Sequence, residues 1–259
     1  MSIQGCLAVV LWGAFMSRRV DIVIPVYNER ENFLATYRVL KEVVKSDWRA
    51  IVVYDMPDDT TLREAGPISK QDAQLSLVRN RSRGVLNAIK TGFVEARAEA
   101  VLVLMVDDPP EVIKRIDDMV ASFYEQEATI VVASRYMQGA AHEGGSMLKS
   151  LLSGLAGLSL HRLIRLPVHD ATYATRLYRR AFLDKTPIES TQGFEFTLEL
   201  TLKAYLLGEK IIEIPVLWRE RTVGQSRFKL LRWIPAYAGW YFWGIRRYWF
   251  ARRSVRPSV

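Results

Sequence analysis

Short apolar runs alternate with amphipathic stretches along the first half of the chain. Five runs rich in Val and Ile have the length of buried strands, at residues 20–26, 50–54, 75–78, 100–106 and 129–133. Apolar residues at helical spacing predict helices between them, at residues 29–45, 84–98 and 111–125. This alternation is typical of an α/β fold with a mostly parallel central sheet and helices on both faces.

The pattern changes after Tyr136, where glycines at 139, 144 and 145 indicate a loop. Later segments predict helices at residues 146–163 and 194–207 and from 229 onward, a strand at 210–217, and a strand or loop followed by a short helix at 170–180. We therefore expect one domain at residues 20–228, with a first half at 20–136 and a second half at 137–228.

Polar clusters follow the predicted strands at residues 26–29, 55–59, 107–108 and 134–136. Ligands of such sheets bind outside the carboxyl ends of the strands, so these clusters predict one binding edge. Carboxylates suit Mg²⁺ or Mn²⁺, which makes Asp107 and Asp108 candidate metal ligands. The alternative is that this pair only caps the helix that follows.

Composition narrows the function classes. The 259 residues are 49% hydrophobic and 25% charged, which is a globular composition. A single cysteine and three histidines argue against an intrachain disulfide and against Cys- or His-rich zinc sites. The P-loop, the Rossmann glycine fingerprint and the G-x-S-x-G nucleophile motif are all missing from the sequence.

Positive charge is concentrated at the end of the chain. Residues 218–259 contain ten Lys and Arg against one acid, whereas the rest contains 26 basic and 27 acidic residues. A nucleic-acid binder with an evenly basic surface would not have this distribution, so we expect no nucleic-acid partner. A nearly neutral catalytic domain followed by a basic tail would have this distribution of charge.

The tail at residues 229–259 combines aromatic and basic side chains. From Trp240 onward it has seven aromatics, five arginines and no acid, which favours contact with an anionic membrane surface. The alternative is a helix that packs its aromatics on the body.

The extension at residues 1–19 contains ten consecutive apolar residues, fewer than the roughly 20 of a helical span. A surface helix, a misassigned start or a weak membrane contact would each explain it.

Eight segments in order carry a family resemblance. They are VDIVIPVYNERENF (20–33), VVYDMPDDTT (52–61), GVLNAIKTGF (84–93), VDDPPE (106–111), ASRYMQGA (133–140), HDATYATRLYRR (169–180), GFEFTLELTLKA (193–204) and IPVLWRERTVGQSRFKL (214–230). Together they resemble the family-2 glycosyltransferases, in the polyprenyl-phosphate (dolichol-phosphate mannosyltransferase-like) branch.

The resemblance implies a nucleotide-diphosphosugar transferase (GT-A-like) fold. It also implies an inverting transfer of a hexose, of mannose or glucose type, from a nucleotide-sugar to a polyprenyl or dolichyl phosphate, with Mg²⁺ or Mn²⁺. The expected location is peripheral, on the cytoplasmic face of the membrane, and the resemblance does not identify a protein partner. The residues matching nucleotide-sugar positions are Pro25, Tyr27, Glu29, Asp55 and Gly84. The metal match is Asp107 and Asp108, and the matches to acceptor or diphosphate contacts are Arg135, Arg176, Arg221, Ser226 and Arg227.

The segment around Asp107 and Asp108 departs from the family pattern, because it is shorter than the usual D-x-D stretch. Two alternatives therefore accompany the main hypothesis. One is a transferase acting on a glycan or lipid hydroxyl, with Asp170 or Glu195 as general base. The other is a catalytically impaired homologue at the membrane surface. If Arg176 contacts a phosphate, Arg176→Lys should reduce transfer with little change in fold stability.

Overall fold

A seven-stranded sheet forms the centre of the protein. The computed structural model describes residues 19–144, 147–219 and 230–254. The strands are β1 (Val20–Val26), β2 (Trp48–Tyr54), β3 (Leu75–Arg79), β4 (Ala100–Val103), β5 (Ile130–Ser134), β6 (Ala141–Glu143), β7 (Arg176–Arg179), β8 (Ile211–Pro215) and β9 (Leu217–Arg219). The central order is β3-β2-β1-β4-β7-β5-β8, and β6 pairs with β9 in a separate two-stranded sheet. All central pairings are parallel except those of β7, which confirms the predicted mostly parallel sheet.

Helices flank both faces of this sheet. They are α1 (Arg30–Val43), α2 (Leu62–Gln71), α3 (Val85–Glu95), α4 (Pro110–Ile113), α5 (Ile116–Glu125), α6 (Met147–Ile164), α7 (Arg180–Lys185), α8 (Phe196–Leu206) and α9 (Leu230–Ser254). The stretch predicted as one helix at 111–125 is divided into α4 and α5. The division lies where the backbone N–H of Arg115 bonds to the carbonyl of Val112 instead of continuing the helical pattern.

Alternate residues of the inner strands enter two separate cores. In β1, Ile22 and Ile24 face a layer that includes Phe33 of α1, whereas Val23 faces a layer that includes Ile89 of α3. Both faces are thus buried, which explains why the strands are nearly continuous apolar runs rather than alternating ones.

The antiparallel strand β7 lies between β4 and β5, with Arg176 opposite both Val103 and Val132. Because β7 runs opposite to its neighbours, the segment that precedes it lies at their carboxyl ends. Residues 168–175 therefore enter the same edge of the sheet as the polar residues that follow β1, β2, β4 and β5.

The long helix α9 packs against the body. A Cβ built on Gly193 would lie 2.6 Å from the Trp233 ring, and one built on Gly244 would lie 2.6 Å from Leu202. The hydroxyl groups of Tyr241 and Ser159 are 2.9 Å apart. The basic and aromatic tail therefore has a packed side as well as an exposed one. No helix within the described ranges combines the length and apolar character needed to cross a bilayer.

Candidate active site

The loops that follow β1 and β2 are joined by hydrogen bonds. The carboxylate of Asp59 accepts the backbone N–H of Asn28 at 3.1 Å and that of Thr61 at 2.9 Å. The N–H of Glu29 in turn donates to the Thr61 hydroxyl at 3.0 Å. Asn28 has a φ of 55°, a conformation that Asn tolerates better than most residues. This arrangement fixes Tyr27, whose side chain is exposed, and Glu29 at the carboxyl edge of the sheet.

Asp55 organises the neighbouring part of the edge. Its carboxylate accepts Asn80 Nδ2 at 2.6 Å and the backbone N–H of Gly84 at 3.0 Å. Gly84 has a φ of 102°, which favours glycine, and it immediately precedes α3. Pro25 is buried within β1, so it shapes the strand instead of lining the surface. Asp55, Asn80 and Gly84 thus form a hydrogen-bonded group at the carboxyl edge of the sheet, which we call the Asp55 frame.

Asp55→Ala is expected to weaken the binding of free nucleoside diphosphate and of the full nucleotide-sugar by the same factor. Loss of a charged hydrogen-bonding partner corresponds to roughly 10- to 100-fold. Isothermal titration with both ligands measures the two factors. Asp58→Ala is the matched control, because Asp58 is an exposed acid of the same loop. A loss restricted to the nucleotide-sugar would exclude Asp55 from contact with base or ribose.

The two adjacent aspartates after β4 differ in their surroundings. Asp107 is exposed, whereas Asp108 is buried and accepts hydrogen bonds from the Tyr173 hydroxyl at 2.5 Å, the Thr175 hydroxyl and the backbone N–H of Met105 at 3.1 Å. Burial and the neighbouring charge of Asp107 raise the pKa of Asp108 to about 6. Asp108 therefore anchors this turn at residues 105–108, which we call the aspartate turn, and Asp107 is exposed within it.

This donor set fits a divalent cation that is shared with a substrate. Among the described residues, no three His, Cys, Asp or Glu side chains come together as a metal site. A hard cation at this edge would thus take few protein ligands and complete its shell with phosphate oxygens and water, as Mg²⁺ commonly does. Asp107, whose carboxylate is exposed, would be a ligand of such a cation.

Arg135, directly after β5, is held by a buried ion pair. Its Nε and Nη2 donate to the two carboxylate oxygens of Asp170 at 2.7 and 3.1 Å, and Nη2 also contacts the Ser153 and Thr172 hydroxyls. Burial by itself would raise the pKa of Asp170, but the charge and hydrogen bonds of Arg135 outweigh it and hold that pKa below its usual value. These hydrogen bonds hold the guanidinium of Arg135 in a fixed position beside Asp170.

Tyr173 joins the aspartate turn to this ion pair. Its ring lies 4.6 Å from the guanidinium carbon of Arg135, while its hydroxyl donates to Asp108. A cation over an aromatic face is attracted to it, so Tyr173 restrains Arg135 and Asp108 together. Sequence reasoning missed Tyr173 and Thr175. The hydroxyl-rich stretch at residues 172–175 was the signal for them.

Arg176 lies away from the edge, in the interior. Its side chain is 0% exposed and donates to the backbone carbonyls of Tyr173, Thr197 and Asp170 and to the Thr201 hydroxyl. Burial lowers its pKa. This placement disagrees with the predicted contact between Arg176 and a phosphate, because its donors are already committed to internal acceptors.

The carboxylates of the two candidate general bases, Asp170 and Glu195, also accept hydrogen bonds from within the protein. Asp170 accepts Arg135 and the backbone N–H groups of residues 172 and 173. Glu195 is buried and accepts the N–H groups of residues 191, 192 and 193. Neither carboxylate is free to take a proton from an acceptor hydroxyl.

Four sequence predictions concern residues that lie outside the described ranges. They are Arg221, Ser226, Arg227 and the apolar extension up to residue 18.

Comparison with known proteins assigns this edge of the sheet to a family. Residues 21–186 match Glycosyl transferase family 2. The chain belongs to this family. The match spans the strands β1 to β5 and β7 and therefore includes the Asp55 frame, the aspartate turn and the Arg135 ion pair.

Curated relatives are 27 to 29% identical to this chain over the aligned regions. A dolichol-phosphate mannosyltransferase from Pyrococcus furiosus is 27% identical over 82% of this chain, which spans 59% of that relative's length. A polyprenol monophosphomannose synthase from Mycolicibacterium smegmatis is 28% identical, with 82% and 81% of the two chains covered. An undecaprenyl-phosphate mannosyltransferase from Micrococcus luteus is 29% identical, with 81% and 87% covered.

Solved structures confirm the fold expected of a family-2 transferase. Glucosyl-3-phosphoglycerate synthase from Mycobacterium tuberculosis, in complex with Mn²⁺, UDP-glucose and phosphoglyceric acid, superposes with a TM-score of 0.68 at 16% identity. The superposition covers 90% of this chain and 82% of the other. Another structure of the same synthase contains Mg²⁺ and UDP. The nucleotide-sugar transferase (GT-A-like) fold predicted from the sequence is thus confirmed.

Proposed function

We propose that this glycosyltransferase moves a hexose from a nucleotide-sugar to a polyprenyl phosphate. The observation that carries the proposal is that the Asp55 frame, exposed Asp107 and Arg135 follow strands at the same edge of the sheet in a family-2 chain. The curated relatives named for transfer to dolichol, polyprenol or undecaprenyl phosphate support the choice of acceptor.

The proposed reaction is an in-line displacement at the sugar's anomeric carbon. An oxygen of the lipid phosphate forms the new bond to that carbon as its bond to the nucleoside diphosphate breaks, which inverts the configuration. The pocket formed by Tyr27, Glu29 and Asp55 orients the donor. Arg135 stabilises charge on a phosphate, and fixed charges of this kind are most effective where charge develops in the transition state. A cation held by Asp107 would neutralise the diphosphate.

A phosphate acceptor suits this site better than a hydroxyl acceptor. A lipid phosphate is already ionised at neutral pH and needs no general base. A hydroxyl would need one, and Asp170 and Glu195 are both buried and occupied by structural hydrogen bonds. The same reasoning favours an active enzyme over an impaired homologue, since Asp107 remains exposed despite the shortened segment.

The proposed location is the cytoplasmic face of the membrane, with the chain bound peripherally. The acceptor's isoprenoid chain cannot leave the bilayer, so the enzyme has to meet it there. Basic and aromatic residues of α9 provide attraction to anionic headgroups and to the interface.

A transfer assay with matched acceptors tests the proposal. We expect purified protein with Mn²⁺ or Mg²⁺ to transfer hexose from one of a panel of nucleoside-diphosphate mannose and glucose donors to polyprenyl phosphate. The polyprenol of the same chain length should receive none, and excess chelator should abolish the transfer. Equal transfer to polyprenol would refute the phosphate acceptor, and full activity in chelator would refute the cation.

A further inference from the structure

Helix α6 displays a row of leucines to solvent. Leu151, Leu152, Leu155, Leu158 and Leu163 are each 38 to 54% exposed, while the opposite side of the helix buries Leu160 and Ile164. Single exposed apolar residues are ordinary, but contiguous patches mark interaction surfaces. We refer to these five residues as the leucine face.

Helix α9 extends the leucine face. It contacts α6 through the hydrogen bond between Tyr241 and Ser159, and it exposes Ile234, Phe242, Trp249 and Phe250. Of the twelve exposed large hydrophobic residues in the described part of the chain, nine lie on these two helices. The apolar surface is therefore concentrated in one place.

Positive charge borders this surface. Arg162 and Arg165 are exposed at the end of α6, and Arg246 and Arg247 are exposed on α9. The sequence has no acid between residues 144 and 169 and none after residue 220. The guanidinium groups of Arg246 and Arg247 lie 5.5 and 5.8 Å from the rings of Phe250 and Trp243. An apolar surface bordered by arginines and aromatics matches the boundary between headgroups and acyl chains.

The leucine face also adjoins the candidate active site. Ser153, next to Leu152, accepts a hydrogen bond from Arg135 at 3.1 Å and contacts the Thr172 hydroxyl at 2.6 Å. A single helix thus connects the apolar surface with the arginine proposed to contact phosphate.

We propose that the leucine face and the exposed side of α9 dock together on an anionic lipid bilayer. The leucines enter the acyl boundary, and the arginines contact the headgroups. On the proposed function, this docking lets the lipid phosphate reach Arg135 while its isoprenoid chain stays in the membrane. Docking itself requires no catalysis.

Vesicle binding of a double variant tests the docking. We expect Leu151→Gln with Leu155→Gln to weaken sedimentation with vesicles of equal parts phosphatidylcholine and phosphatidylglycerol by at least ~10-fold, because two apolar side chains no longer leave water. The matched control is Val94→Gln with Leu207→Gln, which alters two exposed apolar residues elsewhere. The control should bind as the unaltered protein does.

Unchanged vesicle binding by the double variant would overturn the proposal. So would an oligomer of the unaltered protein that the double variant disperses, since the leucine face would then bind a second copy. If the melting temperature of the double variant falls, Phe242→Gln with Trp249→Gln replaces it, with the same expected loss and the same refutation. The proposed function is tested separately, because transfer to a short water-soluble acceptor phosphate should survive both changes. Failure of the unaltered protein to use any polyprenyl phosphate would refute the function and leave the vesicle result unaffected.

Discussion

Asp107→Asn is expected to lower turnover by about 10²-fold or more, comparable to removing one charge-stabilising group from an active site. Asp107 is exposed in the turn that follows β4. If a cation binds the diphosphate there, we expect Asp107 to contribute more to holding it than the buried Asp108 does. Thermal stability should change little, because the side chain of Asp107 is exposed. Transfer kinetics over a range of Mn²⁺ concentrations, together with a melting curve, measure both quantities.

The Asp108→Asn variant distinguishes the role of Asp108 from that of Asp107. Asp108 already accepts three hydrogen bonds inside the protein, and an amide retains one acceptor oxygen while adding a donor. We expect a smaller fall in turnover than for Asp107→Asn, without a shift in the Mn²⁺ concentration that gives half-maximal rate. A larger shift for Asp108→Asn than for Asp107→Asn would reverse the two assignments.

Arg176→Lys is expected to destabilise the fold by about 3 kcal/mol, since an ammonium group cannot reach every acceptor that the guanidinium satisfies and leaves buried carbonyls unpaired. This corresponds to a melting temperature lower by roughly 6–12 °C. The expectation reverses the sequence-based one, which placed Arg176 on a phosphate and foresaw little change in stability. Calorimetry, with transfer measured well below the melting temperature, distinguishes the two.

Arg179→Lys provides the matched control for this change. Arg179 lies on the same strand and also donates to a backbone carbonyl, that of Ala128, but its side chain is partly exposed. Water can replace its lost hydrogen bonds, so the loss of stability should be the smaller of the two. A stable Arg176→Lys protein with abolished transfer would restore the contact between Arg176 and phosphate.

The strands that support the site could be predicted because their apolar runs are a local signal. Strand direction is not local, and the antiparallel course of β7 is set by pairing with β4 and β5, far away in the sequence. The sheet of β6 and β9 escaped prediction for a related reason. Each of its strands has three residues, and both are partly exposed.

The candidate site was predictable where it follows the strand ends. Asp55, Asp107 and Arg135 became candidates in this way, and the same rule applied to β3 would have made Asn80 a candidate as well. The burial of Asp108 depends on Tyr173 and Thr175, which precede β7 and are distant from Asp108 in the sequence. The burial of Arg176 could not be predicted, because a buried arginine and a phosphate-binding one look alike in a sequence.

The position of β7 also constrains the order of folding. Strand β5 pairs with β7 and β8, so its strand partners are synthesised some 40 residues or more after it. At roughly 5–20 residues per second, the ribosome leaves its apolar edge unpaired for several seconds. The half of the sheet built from β1 to β4 is complete by then, and it provides a surface on which the later strands can add. Pairing at such sequence separation slows folding, and it makes β5 the segment most exposed to aggregation or chaperone binding in the nascent chain.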